Sequence, residues 1–375
     1  MKRSAVLASS AIVIAAVGLT TPPAFAGGHG PHAGPPRTVA TDLVTPLSLE
    51  IGHHGTAYVS QNFTGELLKI TRDGTKTTIA STGGDELGAV SKRGDTIYYA
   101  TTGQDPEHPS ANLWALRKGH APKEIGDLYE HENTKNPDRI RTYGFKGLPQ
   151  SCASQLPDEV GPATYQGLVD SHPYASLPTR RGVYVADAAA NAILWVRHGK
   201  VHTVAVMPTA KPVRITADNY EAIGLPECTV GYKYRFEFVP TDVEMGRDGW
   251  LYVTSLPGGP EDASLGARGS VHRVNPHNGR TELVAAGFVG ATNLAIGPKG
   301  QIAVAELFGG SDGTGQVTLL KRGSHHRSYL PLTSPAAVEW VGDRHSSSLY
   351  VTTDAFVLGD MGPQPIGKLV KVRLR

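Results

Sequence analysis

Apolar and polar positions along the chain alternate in short runs, and the runs recur. A strand-like segment is followed by a tight turn and a second segment of the type "YV": Ala57-Tyr-Val-Ser-Gln, Ile97-Tyr-Tyr-Ala-Thr, Val183-Tyr-Val-Ala-Asp, Leu251-Tyr-Val-Thr-Ser, Ile302-Ala-Val-Ala-Glu and Leu349-Tyr-Val-Thr-Thr. Each is preceded by a candidate first strand, "LSLEIG", "GAVSKR", "HPYASLP", "TDVEMG", "TNLAIG" and "AAVEWVG". Each is followed by a third, "ELLKIT", "NLWALR", "AILWVR", "SVHRV", "QVTLL" and "KLVKVR". The lengths and the β-branched and aromatic content are those of strands.

A fourth strand follows in five cases ("TTIAS", "KEIGDL", "HTVAVM", "TELVAAGF", "RSYLPL"), but the sixth unit ends with the chain at Arg375. The missing strand is at the other end, where "TVATDL" (Thr38 to Leu43) has no partner before it. The pattern predicts an all-β fold: a six-bladed β-propeller closed three-plus-one by the N-terminal strand. A β-sandwich is the alternative, but it does not account for a strand missing at one end and spare at the other. The propeller spans 38–375.

Loop lengths separate two faces. Turns such as "GHHG", "KRGD" and "GRDG" are short on one face. On the other lie inserts at 129–171 and 208–240, the loop 255–269, and the connections 306–315 and 353–367. Long connections on a rigid scaffold carry function, so the inserts are expected to cap a working face. Cys152 and Cys228, one in each insert, are expected to form a disulfide.

The first 26 residues differ from the rest. A basic start (Lys2, Arg3), an apolar run from Ala5 to Leu19 and Ala24-Phe25-Ala26 read as a secretory signal peptide cleaved after Ala26. A retained anchor is the alternative. Residues 27–37 are expected to be a disordered leader. The formal charge of +2 becomes balanced once Lys2 and Arg3 leave. No basic tract suits nucleic acid, no membrane span is expected after cleavage, and a secreted, extracellular monomer is expected.

Longer stretches carry a resemblance. "VPTDVEMGRDGWLYVTSLPGGPEDASLGARGSVHRV", "GATNLAIGPKGQIAVAELFGG", "NPDRI" followed by "VDSHPYASLP", and "VYVADAAANAILWV" resemble the ScyD/ScyE family of exported bacterial proteins, from about Val39 to Arg375. The resemblance implies a propeller like those of the NHL and SMP-30/gluconolactonase groups and carries no established reaction.

Residues that open a first strand or close a second are expected to ring the channel at the long-loop face: Asn62, Glu86, Asp170, His172, Asp187, Asp242, Asn293, Glu306 and Asp354. Glu261 and Arg268, in the exit loop of the fourth unit, are expected near the same mouth. Hard oxygen donors suit Ca²⁺, so Asp170, Asp242, Asn293 and Glu306 are a candidate set for that ion, the one cofactor the residues suggest. The competing reading has them pair with backbone amides or arginines. An SMP-30-like site is not supported, because "TPLSLE" lacks an acid or amide where that family has its Glu. A streptogramin-lyase-like site needs a His beside a Glu, and Glu306 has none nearby in sequence; His172 is the remaining partner, across the channel. His53, His54, His325 and His326 read as solvated turns, and no serine-nucleophile or zinc-protease motif occurs. Trp114, Trp195, Trp250 and Trp340 read as packing residues, whereas Tyr129, Tyr143 and Phe145 stand off any expected strand; Asp127 to Asn136 reads as one short helix. Three functions stay open: binding of a small molecule, ion or extracellular protein; a metal-dependent hydrolase, lactonase or lyase; a structural protein of the cell envelope.

Overall fold

A computed structural model describes residues 33–374 apart from His325, Arg344, Asp360 and Met361. The expected signal peptide, its expected cleavage site and the start of the expected leader lie outside the described residues. The expected strands are present. Sheet one runs Leu49–Ile51, Ala57–Gln61, Glu66–Ile70 and Lys76–Ser81; sheet two Glu86–Arg93, Thr96–Thr102, Ala111–Arg117 and Lys123–Asp127. Sheet three is Pro173–Pro178, Val183–Asp187, Ala192–Arg197 and Lys200–Val206. Sheet four is Phe238–Met245, Leu251–Pro257, Gly269–Val274 and Thr281–Phe288; sheet five is Ala291–Ile296, Ile302–Glu306, Gln316–Leu320 and Arg327–Pro331. In sheet six, Val338–Gly342, Ser347–Thr353 and Gly367–Leu374 are joined by the N-terminal strand Arg37–Leu43, which pairs antiparallel with the last strand. That pairing covers an edge that would otherwise offer unpaired backbone groups. It begins earlier than expected: Gly34 N–H donates to Arg373 O at 2.8 Å and Ala33 bridges Leu374, so 33–37 lies along the last strand rather than loose.

The core lies between sheets. Val59, Val185, Val253, Val304 and Val351, all from second strands, are fully buried, because every other residue of these strands faces a neighbouring sheet. The first strands neighbour one another in a closed order, one to two to three to four to five to six and back to one. Side chains tie them to each other's backbones. Lys92 N–H donates to Glu50 Oε2 (2.9 Å), Val90 N–H to Ser48 Oγ (2.7 Å) and Ser176 Oγ to Ala89 O (2.7 Å). Leu294 N–H donates to Asp242 Oδ2 and Val338 N–H to Asn293 Oδ1, each at 2.8 Å.

The inserts add a sheet that alternation did not predict. Its strand order is Thr164–Gln166, Thr142–Phe145, Lys233–Arg235, Val213–Arg214, so each insert supplies two strands. Cys152 and Cys228 are bonded, joining the inserts a second time. Tyr143 and Phe145, placed off any strand by sequence, are both on the second of these strands and buried. Phe145, Ile215, Leu225, Tyr234, Phe236 and Leu265 form a separate core, in which Leu265 comes from the loop 255–269. The expected short helix is Leu128–Lys135, its first turn capped by Asp127, whose carboxylate accepts Glu130 N–H. Among the described residues no helix is long and apolar enough to cross a membrane.

Candidate functional site

Asn62 after the second strand of sheet one, Glu86 at the start of sheet two and Ser171 and His172 just before sheet three meet in one hydrogen-bonded chain. Ser60 Oγ donates to Asn62 Oδ1 (2.5 Å), and Asn62 Nδ2 donates to Glu86 Oε1 (2.9 Å). Glu86 Oε2 lies 3.0 Å from His172 Nε2. His172 N–H and Ser171 Oγ donate to opposite oxygens of Asp187 at 2.8 and 2.6 Å. Gly88 makes room for this chain: a Cβ there would sit 2.9 Å from Asn62 Nδ2.

The electrostatics follow from the pairing. Burial pushes the Glu86 carboxyl up, but His172 and the Asn62 amide outweigh it and hold Glu86 below the ordinary range. Burial pulls His172 down, but Glu86, then Asp187 and Asp170, raise it to about 9. The pair is therefore charged at neutral pH, although 35% of the His172 side chain is open to water. Tyr174 lies beside it, ring centroids 6.1 Å apart, and its phenol is pushed up by burial and by the charges of Glu261, Glu86 and Asp242. Glu261 rises to about 7, through burial only partly offset by Arg268. Arg268 itself is committed to the loop. Its guanidinium donates to Gly258 O (3.1 Å) and Pro260 O and lies 4.5 Å over the Phe236 ring.

Deeper along the first strands is a feature the sequence reading did not single out. Glu50, Glu244 and Glu339 pair with Tyr58, Tyr252 and Tyr350, so three sheets place a glutamate at one register. Burial raises Glu50 to about 7 against the opposing pull of Lys92. Glu244 and Glu339 are pushed well above the ordinary range by burial and then by one another's neighbours, Asp242 and Glu50 among them, with no basic group acting on either. The signal was present in the aligned strands "LSLEIG", "TDVEMG" and "AAVEWVG", where the glutamate holds the same column.

The candidate Ca²⁺ quartet is arranged differently from its expectation. Asp242 accepts Val243 N–H and Leu294 N–H, and Asn293 accepts Val338 N–H, so both tie first strands together. Glu306 accepts Val289 N–H and Gln316 Nε2 at 2.8 and 2.9 Å and also Thr318 Oγ1, within its own sheet and the turn before it. Asp170 caps Ser171 N–H. Among the described residues no three His, Cys, Asp or Glu side chains form a metal-holding group. Asp354 pairs with Lys368 at 3.1 Å. The His that a Glu needed is present, but its partner is Glu86 of the adjacent sheet, not Glu306. His53, His54 and His326 are exposed, while His325 lies outside the described residues.

Two surface clefts lie away from this mouth. One of about 410 Å³ is lined by His131, Lys135, Arg139 and His202, the other of about 370 Å³ by Arg180, Arg181, Trp195 and His277. Convergence of buried charge, not cleft volume, marks the mouth as the candidate site.

No protein-family model and no curated protein matches the chain. Solved structures do. A putative oxidoreductase (glucose dehydrogenase) from Thermus thermophilus is 14% identical with a TM-score of 0.53, over 90% of this chain and 99% of that one. The PQQ-bound aldose sugar dehydrogenase of Streptomyces coelicolor is 13% identical at TM-score 0.50, over 92% and 100%. A putative gluconolactonase is 11% identical at TM-score 0.50, over 92% of each chain. At these identities the likeness is one of fold, and with the repeated four-stranded antiparallel sheets it makes this chain a β-propeller.

Proposed function

We propose that the chain is a secreted, six-bladed β-propeller of the ScyD/ScyE type that binds a small, positively charged polar ligand within its central channel, below the long-loop mouth. Six of the four-stranded sheets are the blades, since their first strands neighbour one another in a closed order, and the sheet built from the inserts is the cap. The observation that carries the binding reading is the glutamate ring. Glu50, Glu244 and Glu339 face one another's charge, and Lys92 alone opposes it. A cationic group entering the channel would replace protons that these acids otherwise hold. Glu86, Tyr174 and Glu261 at the entrance add acceptors, and His172 supplies a donor for a polar substituent.

A hydrolase or lyase in the same channel is the second reading, and the Glu86–His172 pair favours it. His172 stays protonated up to about pH 9, so its role would be proton donor, not base. Calorimetry with a panel of small amines, amino sugars and matched anions separates these readings. The binding reading expects heat from cationic members alone, lost in the Glu244→Gln/Glu339→Gln double variant. Equal binding of anions by that variant and the wild type would sink it. Turnover of a lactone or ester that is lost in His172→Gln would establish the second.

A further inference from the structure

The first insert meets sheet three through a cluster that the channel does not include. The helix Leu128–Lys135 ends at Asn136, which takes a left-handed conformation (φ 36°) and donates its N–H to Glu132 O at 2.7 Å. This ending turns Asn136 and Asp138 toward the same neighbour, and Glu132 is buried one turn before them. Asn136 Nδ2 donates to Gly167 O at 2.9 Å. The Asp138 carboxylate lies against the same glycine, so closely that a Cβ on Gly167 would overlap Asp138 Oδ1. From sheet three comes Asn191, on the turn between the second and third strands, with φ 51°. Its Nδ2 donates to Asp138 Oδ2 at 3.0 Å, and Tyr143 Oη donates to the same oxygen at 3.0 Å.

After these bonds, five buried oxygens have no donor: Glu132 Oε1 and Oε2, Asn136 Oδ1, Asp138 Oδ1 and Asn191 Oδ1. Glu132, Asp138 and Asn191 are at most 1% exposed, so water does not reach them from the surface. A buried acceptor without a partner is costly, and a buried carboxylate with neither oxygen bonded is more so. We propose that Glu132, Asp138, Asn136 and Asn191 form a Ca²⁺ site that ties the first insert to sheet three. The orphaned atoms are all hard oxygens, two side chains carboxylate and two amide, with no sulfur or imidazole among them. Because only two ligand side chains are acidic, the set is consistent with the lack of any three-residue His, Cys, Asp or Glu group among the described residues.

Arg141 is the basic group acting on Asp138, and none acts on Glu132. One divalent cation serves the orphaned oxygens together and offsets the surrounding negative charge.

Calorimetric titration of Ca²⁺ into chelator-treated, full-length mature protein tests this, alongside hydrogen–deuterium exchange. One Ca²⁺ per chain is expected, with a higher Tm and slowed exchange in residues 128–138 and 189–191. Glu132→Gln is expected to weaken binding by at least about tenfold, because the site loses a charged ligand. Glu244→Gln/Glu339→Gln is expected to leave this binding intact, which separates the site from the proposed channel. Absence of heat with wild-type protein overturns the proposal. So does binding that the channel variant removes and Glu132→Gln keeps, or slowed exchange confined to the first strands. If Glu132→Gln fails to fold, the exchange pattern of the wild type still decides.

Discussion

The six repeated sheets and the capping sheet solve the same problem in different ways. In the repeat, polar side chains on first strands use their oxygens to bond the next strand's backbone. Glu50, Asp242 and Asn293 each accept an N–H from a neighbouring first strand. Around the cap the bonding is incomplete. Apart from the indole N–H groups of Trp195 and Trp340, the orphaned buried side-chain atoms among the described residues belong to Glu132, Asn136, Asp138, Arg141, Asn191, Arg235 and Arg268. All of these lie in the inserts, in the loop 255–269 or at the turn the inserts touch. A repeat is regular enough for one solution to serve every interface. A cap assembled from segments distant in sequence has to find separate partners.

The largest way to break this contrast is to untie the cap. Replacing Cys152 and Cys228 by serine releases a cross-link between residues 76 apart. By the chain-entropy account it is expected to cost about 4 kcal/mol. Limited proteolysis is expected to cut within 142–171 or 208–235 before the repeat, and simultaneous cleavage of both would show that the cap is not the weaker unit. The matching test of the repeat is Asp242→Ala, which strands Val243 and Leu294 N–H groups in a buried position. Its expected cost is about 2–3 kcal/mol in denaturant unfolding, with the cap's disulfide intact. A change under about 0.5 kcal/mol would mean that the inter-sheet ties do not hold the repeat together.

His172→Gln probes the seam between the two regions. A fully buried pair loses more on breaking, but water reaches His172, so about 1 kcal/mol is expected. The pH signature is more specific. His172 is raised in the folded protein, so its stabilising contribution is complete below about 6.5 and is lost as pH rises through about 9. Wild-type Tm should fall across that interval by more than the variant's. The buried acids of the first strands have the same sign at lower pH. Glu50 and Asp242 rise from 4.5 and 3.8 to about 7, so ligand-free protein is expected to lose stability as pH climbs from about 4 to about 7. A Tm that instead increases across that range would contradict the acid-lined channel.

The resemblance to a family of exported propellers agreed with the fold on architecture, while the chemistry had to be read from contacts. Strand alternation placed every strand of the six sheets, including Arg37–Leu43 beside the chain's last strand. The cap sheet was not visible, because its strands are two to four residues long and lack an alternating pattern. The ring assignment found Asn62, Glu86, His172 and Asp187 together. It also included Glu306 and Asp354, whose partners are local. It passed over Glu50, Glu244 and Glu339, although their column repeats.

By itself, then, the sequence determined what is periodic and local: strand positions, short turns, the helix after Asp127 and the two cysteines. Those follow from side-chain alternation, capping and turn chemistry within a few residues. Tertiary structure decided which acids are free. Asp242 and Glu86 look alike in sequence, as strand-end carboxylates, yet one is bonded to backbone and the other to His172. Whether a carboxylate is clamp, ion-pair partner or open ligand depends on which donor a neighbouring sheet brings within about 3 Å, and that is set by packing between segments far apart in the chain.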